Sequence, residues 1–277
     1  PRPRHGPTPV KVVTNLGPTP KGLETLAAIE NHNLPTEFPP DVLEESEALP
    51  AYSWNPAEGR TDWRQLPIVT IDGPDARDFD DAVYAEPLPK GGHKIIVAIA
   101  DVAFYVHPGT ALDDDAQERG NSTYFPDRVI PMLPERLSND LCSLRPQVDR
   151  PVFGVEMEID ANGHLRHYQF HRATIHSAAR LTYQQVQTAL DASSSHPSEG
   201  WDLNIKSLSS IPPTPISTSL LPHLRNLLAA YNTLDHARLR RGALDLELPE
   251  MAILLDAEGN VQSIGTPGSP ATNGSKN

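Results

Sequence analysis

The sequence predicts an α+β domain built on a mixed or antiparallel sheet, and three observations carry that prediction. Three strand-like runs follow in quick succession: "PIVTID" (67–72), "DAVYAEPL" (81–88) and "HKIIVAIADVAFYV" (93–106). The hairpin signal "PKGG" joins the second and third. A fourth run, "VFGVEMEID" (152–160), alternates cleanly, with Phe153, Val155, Met157 and Ile159 on one face and Glu156, Glu158 and Asp160 on the other.

Taken in order, residues 1–20 read as an exposed lead-in holding one strand, "VKVVTNL". "KGLETLAAIENHN" (21–33) has Leu23, Leu26, Ala27 and Ile29 at helical spacing and stops at Asn33, before Pro35. "PPDVLEESEAL" (39–49) is a second helix with a Pro-Asp start. The main domain opens near Trp63 with the strands named above. The third is apolar at nearly every position, which predicts burial of both faces.

"ALDDDAQERG" (111–120) is a short helix whose Asp113 to Asp115 favour the helix dipole, a reading preferred over a metal site. "ANG" turns 152–160 back into "HLRHYQF", and "LTYQQVQTAL" (181–190) is helical. The Ser-rich "DASSSHPSEG" (191–200) and the Pro-rich "SSIPPTPISTS" (209–219) are loops. A long helix covers about 220–241, and a closing hairpin turns on "AEGN". The polar tail "TPGSPATNGSKN" shows no folding pattern.

Composition narrows the function classes. Of 277 residues, 38% are hydrophobic and 21% charged, the make-up of a soluble globular chain, and no apolar run approaches the roughly 18–20 residues of a membrane span. The start lacks a signal-peptide pattern and an initiator Met, so a fragment or processed product is expected. A single cysteine, Cys142, excludes an intrachain disulfide framework and makes a reducing cytoplasm the default. The net charge of −13 argues against a simple nucleic-acid binder. The charge is uneven: between Ile71 and Glu118, eleven acids face three Lys or Arg, while four Lys or Arg and no acid precede Glu24. An acidic centre beside a basic arm suits metal chemistry on a polyanion.

The densest acidic stretch is "TIDGPDARDFDD" (70–81), with Asp72, Asp75, Asp78, Asp80 and Asp81 offset locally only by Arg77. The spacing D-x5-D-x-D-D offers hard oxygen ligands of the kind magnesium takes, and four aspartates are enough for two ions. An EF-hand starting at Asp78 fails, because Val83 and Pro89 stand where Gly and Glu are required. Spacing alone leaves a solvated acidic turn and a metal site both open.

Several other groups read as structural. His167 and His171, four apart on a strand and thus about 13 Å apart, cannot share a metal and read as surface residues. Asp101 reads as a structural hydrogen-bonding group, Cys142 as a small buried hydrophobe, and Ser138 as a helix cap rather than a nucleophile. Tyr124 and Tyr183, taken alone, read as core or rim aromatics.

Four stretches, "TIDGPDARDFDDAVY", "VAIADVAFYVHPGT", "GNSTYFPDRVIPMLPERLSNDLCSLRPQVDRPVF" and "ATIHSAARLTYQQV", run in the order and spacing of the ribonuclease II/ribonuclease R family. The chain resembles that family from about Val10 to Ile264. The resemblance implies an RNB-type catalytic fold: 1–20 as the end of a cold-shock OB-fold, 21–60 as a connecting helical segment, 61–265 as the N-terminal part of the catalytic domain, and 266–277 as a disordered tail. It implies a magnesium-dependent 3′-to-5′ exoribonuclease that hydrolyses single-stranded RNA to nucleoside 5′-monophosphates. Asp72, Asp78 and Asp81 would hold magnesium, with two ions in all. Asp80 would serve the chemical step at the second metal position. Tyr183 would orient the terminal nucleotide, and Tyr124 would stack on bases in the RNA channel. Asp75 has no family role.

A monomer in the cytoplasm is the accompanying expectation. The chain departs from the family after Gly265, where a later glutamate, a later arginine and a C-terminal OB-fold are not matched, and Leu246 stands where many members have an aromatic. A catalytically incomplete RNA-binding or regulatory module is therefore the competing expectation.

Overall fold

The computed structural model describes residues 22–74, 76–192, 216–244, 252–256 and 261–265. The lead-in strand "VKVVTNL", Asp75, most of the Ser-rich and Pro-rich segments, Leu246 and the tail after Gly265 lie outside the described residues.

Helix α1 (Leu23–His32) ends on Asn33, which takes the left-handed conformation (φ 51°) that a short polar side chain tolerates. Helix α2 (Pro40–Ala48) starts with Pro40, whose missing N–H costs nothing in a first turn. Strand β1 (Thr61–Asp62) is short. Strands β2 (Val69–Asp72), β3 (Asp81–Pro87) and β4 (His93–Ala100) follow, and helix α3 (Ala111–Arg119) comes after them. In α3 the Thr110 hydroxyl accepts from the Asp113 amide, Asp113 and Asp114 fill the first turn, and Asp115 pairs with Arg119. The reading of these acids as helix-start residues is correct.

A small ribbon of β5 (Thr123–Tyr124) and β6 (Val129–Ile130) precedes a π-helical turn, Arg136–Leu141. Long strands β7 (Asp149–Ile159) and β8 (Leu165–His176) then form a hairpin, followed by β9 (Ala179–Thr182), α4 (Tyr183–Ala192), α5 (Leu221–Arg240) and the hairpin β10 (Ala252–Leu255) with β11 (Val261–Gly265).

Seven strands form one mixed sheet in the order β1-β8-β7-β4-β3-β2-β9. The outer pairs β1·β8 and β2·β9 are parallel and the pairs between them antiparallel. The α+β prediction holds. One face packs Ala82, Ile96, Ala98, Val152, Ala173 and Ile175 against Trp63, Leu112, Leu137 and Leu144. The other carries Ile95 and Ile159 against Ala230 and Leu227 of α5. The N-terminal helices belong to this body: Val42 of α2 is buried in the main core, and the Thr25 hydroxyl donates to Asp127.

Four local expectations are corrected. The strand expected over 93–106 ends at Ala100, and Val102–Phe104 form a 3-10 turn, because Asp101 turns inward to meet Arg60. Burial along β4 is incomplete, with Ile99 46% exposed. Ser138 lies inside the π-helical turn and caps nothing, and His171 is partly buried against Trp63 rather than a surface residue.

Candidate metal centre

The acidic stretch is fixed at both ends by the sheet. Strand β2 ends on Asp72 and β3 starts on Asp81, and the two strands are antiparallel neighbours. The intervening loop therefore leaves and re-enters the sheet at the same end of two adjacent interior strands, which confines Asp72, Asp78, Asp80 and Asp81 to that end. Asp72 lies in register with Thr182 on β9, and Tyr183 starts α4 directly after. Tyr183, 44% exposed, thus stands one residue past the strand position paired with Asp72. Tyr124, 66% exposed, reaches over from the β5–β6 ribbon, and its hydroxyl donates to Asp78 at 3.1 Å.

The loop is held by groups from outside it. The Ser143 hydroxyl accepts from the Phe79 amide (3.1 Å) and donates to the Arg77 carbonyl (3.0 Å). The Leu144 amide donates to the Phe79 carbonyl, and the Ala100 amide to the Asp80 carbonyl. At the other end Arg180, on β9, donates to the carbonyls of Gly73 (2.6 Å) and Pro74 (2.9 Å), and its guanidinium lies 5.3 Å from the Phe79 ring centroid. An open cleft of about 550 Å³ flanks the loop, lined by Pro74, Ala76, Arg77, Phe79, Pro146 and Arg180.

The electrostatics are those of a crowded anion site. Burial, followed by the charge of Asp81, pushes the Asp72 carboxyl above the usual range against the opposing pull of Arg180. Asp80, although open to solvent along one side, is pushed up by local burial and then by Asp78, Asp81 and Asp72. One carboxylate oxygen of Asp72 is buried without a hydrogen-bond partner. A buried acceptor of this kind is costly unless a proton or a cation meets it.

In donor type and in unmet charge the four aspartates fit a hard divalent cation. Among the described residues, however, no three His, Cys, Asp or Glu side chains gather closely enough to hold one ion. Like charges at this spacing repel, and repulsion favours the splayed arrangement.

All six sequence-predicted site residues thus lie around one end of the sheet, on β2, β3, β5, α4 and the loop between β2 and β3. The structure brings the Tyr124 hydroxyl onto Asp78 and starts α4 with Tyr183 one residue past the partner of Asp72. Sequence reasoning missed Ser143 and Arg180. Arg180 had a weak signal, as a cation three residues before Tyr183; the hydroxyl of Ser143 had none.

The fold and this site define an α+β protein that offers a carboxylate cluster, flanked by exposed tyrosines, at the end of a mixed sheet. The chain belongs to the RNB family: the family model described as the RNB domain matches residues 60–273. It is 44% identical over 256 residues to ribonuclease R of Vibrio cholerae, a match that covers 92% of this chain and 29% of that protein. It is 42% identical over 244 residues to ribonuclease R of Escherichia coli, covering 88% and 28%. Among solved structures it is similar to Mycoplasma genitalium RNase R in complex with ribose-methylated single-stranded RNA, with a TM-score of 0.74 and 29% identity over 88% of this chain and 35% of that one. The chain therefore spans about 30% of the length of these curated relatives. No helix among the described residues is long and apolar enough to cross a membrane.

Proposed function

We propose that this chain carries the metal-binding part of a 3′-to-5′ exoribonuclease that hydrolyses single-stranded RNA to nucleoside 5′-monophosphates. The observation that carries the proposal is the confinement of Asp72, Asp78, Asp80 and Asp81, with Tyr183 and Tyr124, to one sheet end in a chain of the RNB family. The domain limits follow from the same reading: 1–20 as the end of an OB-fold, 21–60 as a connecting segment, 61–265 as the catalytic portion and 266–277 as a tail. The protein acts as a cytoplasmic monomer.

Asp72, Asp78, Asp80 and Asp81 would hold two magnesium ions. Such ions supply a nucleophilic water at neutral pH and charge neutralisation at the scissile phosphate. The protein's own groups do the rest. Asp72 and Asp81, at the ends of paired strands, form the rigid part of the site. Asp80, with its backbone carbonyl bonded to the end of β4, supports the chemical step. Tyr183 positions the terminal nucleotide beside Asp72. The exposed Tyr124 ring offers a face on which any base can stack, which suits an enzyme that reads no sequence. Its hydroxyl on Asp78 ties that stacking surface to the metal ligands. The known complex of a relative with single-stranded RNA supports an RNA substrate.

The test uses 5′-labelled single-stranded RNA with magnesium, the wild-type chain and Asp80→Asn. A ladder growing from the 3′ end, lost in Asp80→Asn, is the expected result. RNA binding without cleavage by the wild type would instead support an RNA-binding module.

A further inference from the structure

We infer that Ser143 is a positioning residue for the carboxylates of Asp78 and Asp80, an inference that rests on the metal-site reading above. The acidic loop cannot hold itself: among the described residues its one internal backbone bond is the 3.3 Å contact from the Ala76 amide to the Gly73 carbonyl. Its C-terminal half depends on the segment after the π-helical turn. There a single side-chain oxygen bridges two peptide groups, accepting from Phe79 and donating to Arg77. Those peptide groups flank Asp78. Fixing both of them fixes the direction in which the Asp78 side chain leaves the backbone.

Asp80 follows Phe79 directly. It is therefore caught between the Ser143–Leu144 clasp on one side and the Ala100 amide on the other. The clasp is itself rigid. Ser143 is fully buried, and its carbonyl accepts from Nε of Arg150 at 2.9 Å. Arg150 is also buried, and its other end donates to the Asp140 carbonyl. A chain of hydrogen bonds thus runs from β7 through Ser143 to the metal-ligand loop. No other side chain contacts both sides of Asp78 among the described hydrogen bonds.

The experiment titrates Mn2+ into the 277-residue chain and reads free ion by electron paramagnetic resonance, with melting temperatures recorded alongside. Four proteins are compared: wild type, Ser143→Ala, Ser143→Thr and Thr174→Val. The last removes the buried Tyr52–Thr174 hydrogen bond, which involves no residue of the loop, and serves as a control for lost stability. Loss of an orienting partner is expected to weaken Mn2+ binding about 10- to 100-fold in Ser143→Ala. Ser143→Thr keeps the hydroxyl and should recover most of the affinity, while Thr174→Val should bind as the wild type does. If Ser143→Ala does not fold, Ser143→Cys, which keeps the volume but weakens both bonds, carries the same expectation. Wild-type affinity in the Ser143 variant, or an equal loss in Thr174→Val, overturns the inference. Failure of the wild type to bind Mn2+ overturns the metal-site reading instead.

Discussion

Substitution of Asp101 by Ala tests how the sheet end that carries the metal site is held. Asp101 follows β4 directly and accepts from Arg60 at 2.7 Å, with the two side chains only 5% and 6% exposed. Arg60 is otherwise committed: it contacts the carbonyls of Val152 and Ala173 at 3.5 and 3.4 Å and lies 5.1 Å from the Phe104 ring centroid. Removing Asp101 leaves the buried guanidinium only Glu58, whose partly exposed carboxylate lies 3.9 Å from Nε, so the cost approaches the about 3–5 kcal/mol of breaking a buried pair. At about 2–4 °C per kcal/mol for a domain of this size, the melting temperature should fall by roughly 6–20 °C.

A double variant, Arg60→Met with Asp101→Leu, removes both charges and should lose much less, because an apolar pair of similar volume leaves no orphan charge. Calorimetry of the wild type, Arg60→Met, Asp101→Leu and the double variant gives the coupling energy directly. The neighbouring Ala100 amide holds Asp80, so Mn2+ affinity should fall in Asp101→Ala as well. A loss below about 1 kcal/mol in Asp101→Ala, or additive single losses, would refute the reasoning.

Three further outcomes are expected. Asp72 and Asp80 have folded-state values above the unfolded carboxyl value of about 3.9, so in EDTA the stability they contribute is present at low pH and is lost as pH rises through their raised values. Urea unfolding at several pH values should show this loss, and Asp80→Asn should reduce it and raise stability at neutral pH. Burial pushes the Cys142 thiol up to about 12, so alkylation by iodoacetamide at pH 8 should be negligible in the native protein and rapid in urea. Tyr124→Ala should weaken binding of a fluorescent oligonucleotide by about 1–3 kcal/mol in polarisation assays, while Tyr124→Phe, which keeps the stacking face, should bind nearly as the wild type does.

How much was legible depended on whether the cause was local. Helix α3 was read correctly because its capping hydroxyl, first-turn acids and terminal Gly120 all lie within eleven residues of sequence. The acidic loop was placed correctly because an apolar strand enters it and another leaves it. Strand β4 was drawn too long because its apolar run continues past Ala100; only the meeting of Asp101 with Arg60, 41 positions away, shows where the strand must turn. Strands β1 and β9 were missed because each is very short and pairs in parallel with a strand distant in sequence, so no local pattern marks them.

The sequence by itself determined the α+β class, the acidic cluster, the order of the family motifs and the two tyrosines, because periodicity, turn chemistry and motif spacing are properties of neighbouring residues. Only the tertiary structure decided that Tyr124 reaches Asp78, that Asp72 pairs with Thr182 just before Tyr183, and that Ser143 and Arg180 hold the loop between them. Those pairings join groups 46 to 110 positions apart in the chain, and hydrogen bonds of 2.6 to 3.1 Å between such groups exist only once the sheet has closed.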